Sequence, residues 1–175
     1  MSSIDRAAAA SEPRSSLSAV LSDGLYAGLI GAFLVAAWFL ILDTLAGHAL
    51  RTPSLLGTWI IHGPDAVVDG MVDPAMVAAY TAVHMVVFVL IGTVASYLVA
   101  LSDRQPVAGV GLIFLFVFFE VGFFVFAAVM GGDVIGKLGP WAIGVGNLVA
   151  AAGMAGYLWY RHPHLRESLE HIWDR

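Results

Sequence analysis

The chain has 175 residues, 59% of them hydrophobic and only 12% charged, with a formal net charge of −5 and no cysteine. A soluble domain is about 45–50% apolar and about 25% charged, and a disordered chain is richer still in charge; both classes are excluded, and a polytopic membrane protein remains. Without cysteine there are no disulfides, thiolate metal sites or cysteine nucleophiles, and without a basic run nucleic-acid binding is not expected.

Residues 1–22 open the chain as a small, polar segment with Arg6 and Arg14, which reads as a disordered tail before a transmembrane domain over 23–161. The first span covers 24–45. Its apolar run is longer than the ~7–15 residues of a signal-peptide core and ends in Asp43, so it reads as a retained helix rather than a cleaved leader. Gly24, Gly28, Ala32 and Ala36 recur every four residues, a ladder that lets another helix come close. Close backbone contact is expected with the fourth span, which has its own small residues at Ala142, Gly146 and Ala150, and at Ala152 and Gly156.

The loop from Asp43 to Asp73 is too long for a simple turn. Thr52-Pro53 has the form of an N-cap followed by the first helical residue. A helix is therefore expected over 53–62, with Leu55, Leu56, Trp59 and Ile60 on one face. It is too short to span, so it either lies in the outer interface or caps the bundle. Asp65, Asp69 and Asp73 follow as solvated acids, since Gly63-Pro64 and Gly70 interrupt any helix and the spacing is not that of a calcium loop.

The second span covers 74–101, with Asp73 as N-cap and Pro74 at the first helical position. The third covers 106–130 and stops at Gly131-Gly132. It carries Phe114, Phe116, Phe118, Phe119, Phe123, Phe124 and Phe126 around one charge, Glu120; so many rings cannot all face inward, and most must meet lipid, a partner helix or a flat bound molecule. The fourth covers 140–160, with Trp141 at one end and Trp159-Tyr160 at the other as interfacial anchors. In the last segment, 162–175, Leu165, Leu169, Ile172 and Trp173 form an apolar stripe opposite an Arg166–Glu170 pair, which fits an amphipathic helix on the membrane surface or on a partner protein. The expected fold is all-α: an up-down-up-down four-helix membrane bundle with a short outer helix and an amphipathic C-terminal tail.

Six of the eight Lys and Arg residues fall on the N-tail, the 2–3 loop and the C-tail, leaving only Arg51 and Lys137 on the other side. That bias places both termini in the cytoplasm.

Candidate chemistry lies within the spans. A carboxyl at mid-bilayer costs at least about 2.5–3.5 kcal/mol to insert, so Glu120 should face the bundle. At 1.5 Å per residue His84 lies roughly 16 Å, and Glu120 roughly 15 Å, from the outer ends of neighbouring antiparallel spans. The two could therefore meet. Tyr80 and Thr81 sit one turn above His84, Asn147 lies about two turns into the fourth span, and Asp43 occupies the last turn of the first, where its charge opposes the helix dipole and calls for a partner. His84, Glu120, Asn147, Tyr80 and Asp43 thus form one expected polar cluster. A neutral glutamic acid bonded to His84 or Asn147 would also serve simply as structural glue.

Three functions suit such a cluster. The first is a non-enzymatic binding or accessory protein of a membrane assembly. The second is a small proton- or cation-coupled carrier working through Glu120 and His84. The third is a redox subunit in which haem or a transition metal is held by His84 and by Glu120, His48 or His62. No Walker loop, nucleophile elbow, dinucleotide fingerprint or histidine–glutamate metal motif is present, so an enzyme is not favoured and no cofactor is the simplest expectation. A homo-oligomer or a larger membrane complex remains open. No inverted repeat or mid-helix proline marks a carrier.

The strings RTPSLLG, TAVHMVVFVLIG, FVFFEVGFF and GNLVAAAGMAGYLWYRHP resemble a group of small four-span bacterial integral membrane proteins. The resemblance runs over about residues 24–164 and implies a four-span topology in a bacterial inner membrane. It implies no activity, and it places His84, Glu120 and Asn147 inside the recognisable strings.

Overall fold

The computed structural model describes residues 17–68, 70–102, 108–131 and 139–162. Their regular structure is helical throughout: α1 (Leu17–Leu45), α2 (Arg51–His62), a 3-10 turn (Pro64–Ala66), α3 (Pro74–Ser102), α4 (Ala108–Gly131) and α5 (Pro140–Arg161). Three of these, α1, α3 and α5, are long and apolar enough to cross a membrane. α4 has 24 residues, and its apolar stretch is described over Gly111–Val125. The expectations for residues 1–16, for Asp69, Arg104, Asp133 and Lys137, for the Phe126 side chain and for the tail from 163 onward lie outside the described residues.

α1 begins at Leu17 and takes in residues expected to be tail. The reason is Asp23, a charge that would end a lipid-exposed apolar run but is only 4% exposed here and is paired within the bundle.

The glycine ladder of α1 faces α3. A Cβ on Gly24 would come within 2.5 Å of the Thr93 Cα, and one on Gly28 within 2.5 Å of the Phe88 carbonyl oxygen. From the other side, Gly92 leaves no room for a Cβ against Gly24 and Gly28. The two backbones therefore touch where neither helix has a side chain. The first span packs on the fourth, as its small residues lead one to expect, but its backbone-to-backbone contact is with the second. α1 and α5 fit differently, with side chains of one helix filling glycine notches of the other: Met154 over Gly31, Trp38 over Gly146 and Leu34 over Gly153. Four-residue spacing shows that a helix can be approached, but not by which neighbour.

Ala27, Ala95, Val99, Met154 and Leu158 form the core where α1, α3 and α5 meet, and α4 adds Leu112 and Leu115 at its edge. Trp38 ties the seam near the start of α5 by donating its indole N–H to the Ala142 carbonyl at 2.8 Å, edge-on to Trp141.

α2 packs on the first turns of α3. Leu55, Leu56 and Trp59 are buried beside Val67 and Tyr80, and Gly57 passes directly over the Met76 carbonyl. Ile60, expected on the same face, is 45% exposed. α2 is thus a cap over the bundle, and Ser54 joins it to α3 by accepting the Asp73 N–H at 2.8 Å. Asp73 itself caps α3, its carboxylate accepting the Ala75 N–H at 2.8 Å.

Candidate functional site

The expected polar residues divide among three helix contacts. On α3, the His84 Nε2 lies 3.2 Å from the Ala32 carbonyl oxygen of α1, and the Nδ1 lies 3.4 Å from the Tyr80 hydroxyl. A carbonyl only accepts, so Nε2 carries the proton there. Nδ1 is then the acceptor, and the Tyr80 hydroxyl donates to it. The imidazole also lies against the rings of Tyr80 and Phe88, tilted to both, with centroids 5.4 and 4.7 Å away. Both ring nitrogens are thereby engaged.

Glu120 sits elsewhere, half-buried on the side of α4 that meets α5. Asn147 donates its Nδ2–H to Glu120 Oε2 at 2.6 Å. The other oxygen, Oε1, runs beside Gly144, where an added Cβ would sit 3.5 Å from it. Oε1 therefore faces a stretch of α5 with no side chain. Among the described residues no hydrogen bond joins His84 to Glu120. Two residues expected at one depth occupy different seams, because each helix turns its polar group towards a different neighbour.

Asp43 is buried at the end of α1 and finds its partner in α2. Its carboxylate accepts the Thr52 N–H at 2.7 Å and the Thr52 hydroxyl at 2.8 Å. The charge that opposes the dipole of α1 lies at the positive N-terminus of α2, where it is favourable. This also changes how α2 starts. The helix begins at Arg51, and Leu50, with φ 66°, stands at the cap position. Thr52, expected as N-cap, lies inside the first turn, and Asp43 supplies the acceptor that a cap side chain would give.

A further cluster escapes composition and spacing. Asp23, near the start of α1, accepts from Arg161 Nε at 3.1 Å and from the Tyr157 hydroxyl at 3.4 Å, and lies 3.2 Å from His162 Nε2. The signal for it is parity. In the expected four-span topology the start of the first helix and the end of the last lie on one side, which would bring Asp23 to the Arg161-His162 pair.

For metal binding the arrangement offers little. His48 lies at the mouth of an open pocket of about 330 Å³ with Ala46, Arg51 and Gly70, while exposed His62 ends α2. Among the described residues no three His, Asp or Glu side chains gather as a ligand set. Ser96 on α3 is fully buried, and its hydroxyl has no partner among the described residues. No protein-family model, no curated protein and no solved structure matches the chain, so its own side chains are the guide to function.

Proposed function

We propose that this chain is a non-enzymatic integral membrane binding protein that serves as an accessory component of a membrane assembly. In this reading α4 is the fourth span, both termini lie in the cytoplasm, and the membrane is a bacterial inner membrane. The observation that carries it is Glu120, a half-buried carboxylate in an apolar helix whose one hydrogen-bond partner among the described residues is the neutral amide of Asn147. A helix–helix hydrogen bond in a membrane contributes about 0.6–2 kcal/mol, less than the ~2.5–3.5 kcal/mol of inserting the acid. The residue is costly as glue and reasonable as a site. The carrier alternative asks for a relay between Glu120 and His84, and His84 is committed to Ala32 and Tyr80.

The test is the native mass of the protein gently extracted from its own membranes. Mass beyond multiples of 18.5 kDa, from other chains or from a bound molecule, supports the proposal. Simple multiples alone, with ion or solute flux that disappears in Glu120→Gln, would overturn it in favour of a carrier.

A further inference from the structure

Glu120 has a surround that narrows what it binds. Phe116, Phe123 and Phe124 lie four residues before it and three and four after it, so they share its face of α4. All three rings are half-buried, neither sealed in the core nor fully open. Phe123 and Phe124 stand edge to face, with centroids 5.9 Å apart. The carboxylate shares their face of α4, with Oε2 on Asn147 and Oε1 beside the bare backbone at Gly144.

No described side chain supplies the missing positive charge. α5 presents Asn147 at this level, and its Tyr157 and Arg161 are engaged with Asp23 at the far end. On α3, His84 and Tyr80 bond to each other and His84 to α1, while Tyr97 is exposed three turns further on. A bare inorganic cation would want about six oxygens, and among the described side chains Glu120 is bonded to one amide alone. A cation clothed in apolar groups needs no such shell. Its charge is met by one carboxylate and its skin by aromatic faces, whose π-electrons attract a cation.

We propose that Glu120, with Phe116, Phe123 and Phe124 on the same face of α4, forms a binding site for a monovalent lipophilic cation of the quaternary ammonium or phosphonium class. This rests on the binding-protein reading and names its ligand class. The site opens along the α4–α5 seam, so the ligand enters from the bilayer. Glu120 is the counter-charge, and Asn147 fixes the carboxylate's orientation.

The experiment is equilibrium dialysis of the full-length protein, in mild detergent, against radiolabelled tetraphenylphosphonium. Wild type is expected to bind saturably. Glu120→Gln keeps the shape and the bond to Asn147 but removes the charge; it should weaken binding about thirtyfold or more. Glu120→Asp should retain part of the affinity. Asp23→Asn removes an acid outside the site and should bind like wild type. Helix content by circular dichroism and the thermal midpoint in detergent report that each variant is folded. Folded wild type without saturable binding, or a folded Glu120→Gln that binds equally well, overturns the proposal. Partner chains by mass without phosphonium binding would overturn this inference alone. Phosphonium binding by a chain that forms only simple multiples would overturn the accessory-subunit reading alone.

Discussion

The seam between α1 and α3 and the seam between α4 and α5 are built on opposite terms. Along the first, Gly24, Gly28 and Gly92 bring two backbones into direct contact, and one hydrogen bond, from His84 to the Ala32 carbonyl, lies further along the same ladder. Along the second, one hydrogen bond from Asn147 to Glu120 joins helices that otherwise touch sparingly, and α4 has no buried residue among those described. Lipid gives helices no hydrophobic reason to associate. Close packing must therefore do the holding in the first seam, while the second is free to open around a ligand. The scaffold and the site are separate parts of the molecule.

The strongest way to break that comparison is to place the same side chain in both parts. Gly92→Val would drive a branched side chain into the backbone of Gly24 and Gly28, which cannot move aside as a flexible side chain would. The cost should exceed the ~1–3 kcal/mol usual for overpacking, and the protein should fail to accumulate in the membrane. Gly122→Val on α4 meets nothing within 4 Å and should accumulate like wild type. Equal loss from both would show that α4 is packed as tightly as α3.

A smaller effect is expected at the α2 cap. Asp43→Ala removes the acceptor for two donors on Thr52, costing about 1–2 kcal/mol as a lost N-cap does. Removing a negative charge from the end of α1 returns a few tenths. The net should be about 1 kcal/mol, confined to α2. Hydrogen exchange should quicken in residues 51–62 and leave α1 and α3 unchanged. Global unfolding would instead mean that the cap is part of the scaffold.

What could be read in the sequence follows from what sequence encodes. Helix starts were legible where the cap is local, as at Asp73-Pro74, and illegible at α2, where the cap arrives from Asp43 through space. Glu120 and Asn147 stood out as polar groups in apolar runs, and they do meet. His84 stood out equally, but its partner is the carbonyl of Ala32; every residue carries a carbonyl, so composition cannot mark one. Asp23 was hidden because a charge at the edge of an apolar run looks like the end of the span. Only the topology brings it to Arg161.

In the loose seam, Asn147→Ala leaves the α4–α5 contact without its hydrogen bond. The loss should be about 0.6–1.7 kcal/mol, the range of such bonds in membranes, seen as a modest fall in the thermal midpoint in detergent. A fall as large as that of the glycine variants would place Asn147 in the scaffold.

The smallest effect tests whether α2 is held by its cap or by its own start. Leu50 has φ 66°, a left-handed conformation that costs a residue with a Cβ about 1–2 kcal/mol, and glycine almost nothing. Its side chain is 41% exposed, so little packing is lost when it is removed. Glycine also gains entropy in the unfolded chain, which takes back roughly 0.4–1 kcal/mol. Leu50→Gly should therefore be neutral to slightly stabilising, read as unchanged or slower exchange across residues 51–62. In an Asp43→Ala background the gain should persist, because the strain belongs to the Leu50 backbone and the cap belongs to Thr52. If Leu50→Gly instead loosens α2, the leucine side chain is holding the turn, and Asp43 is not its sole anchor.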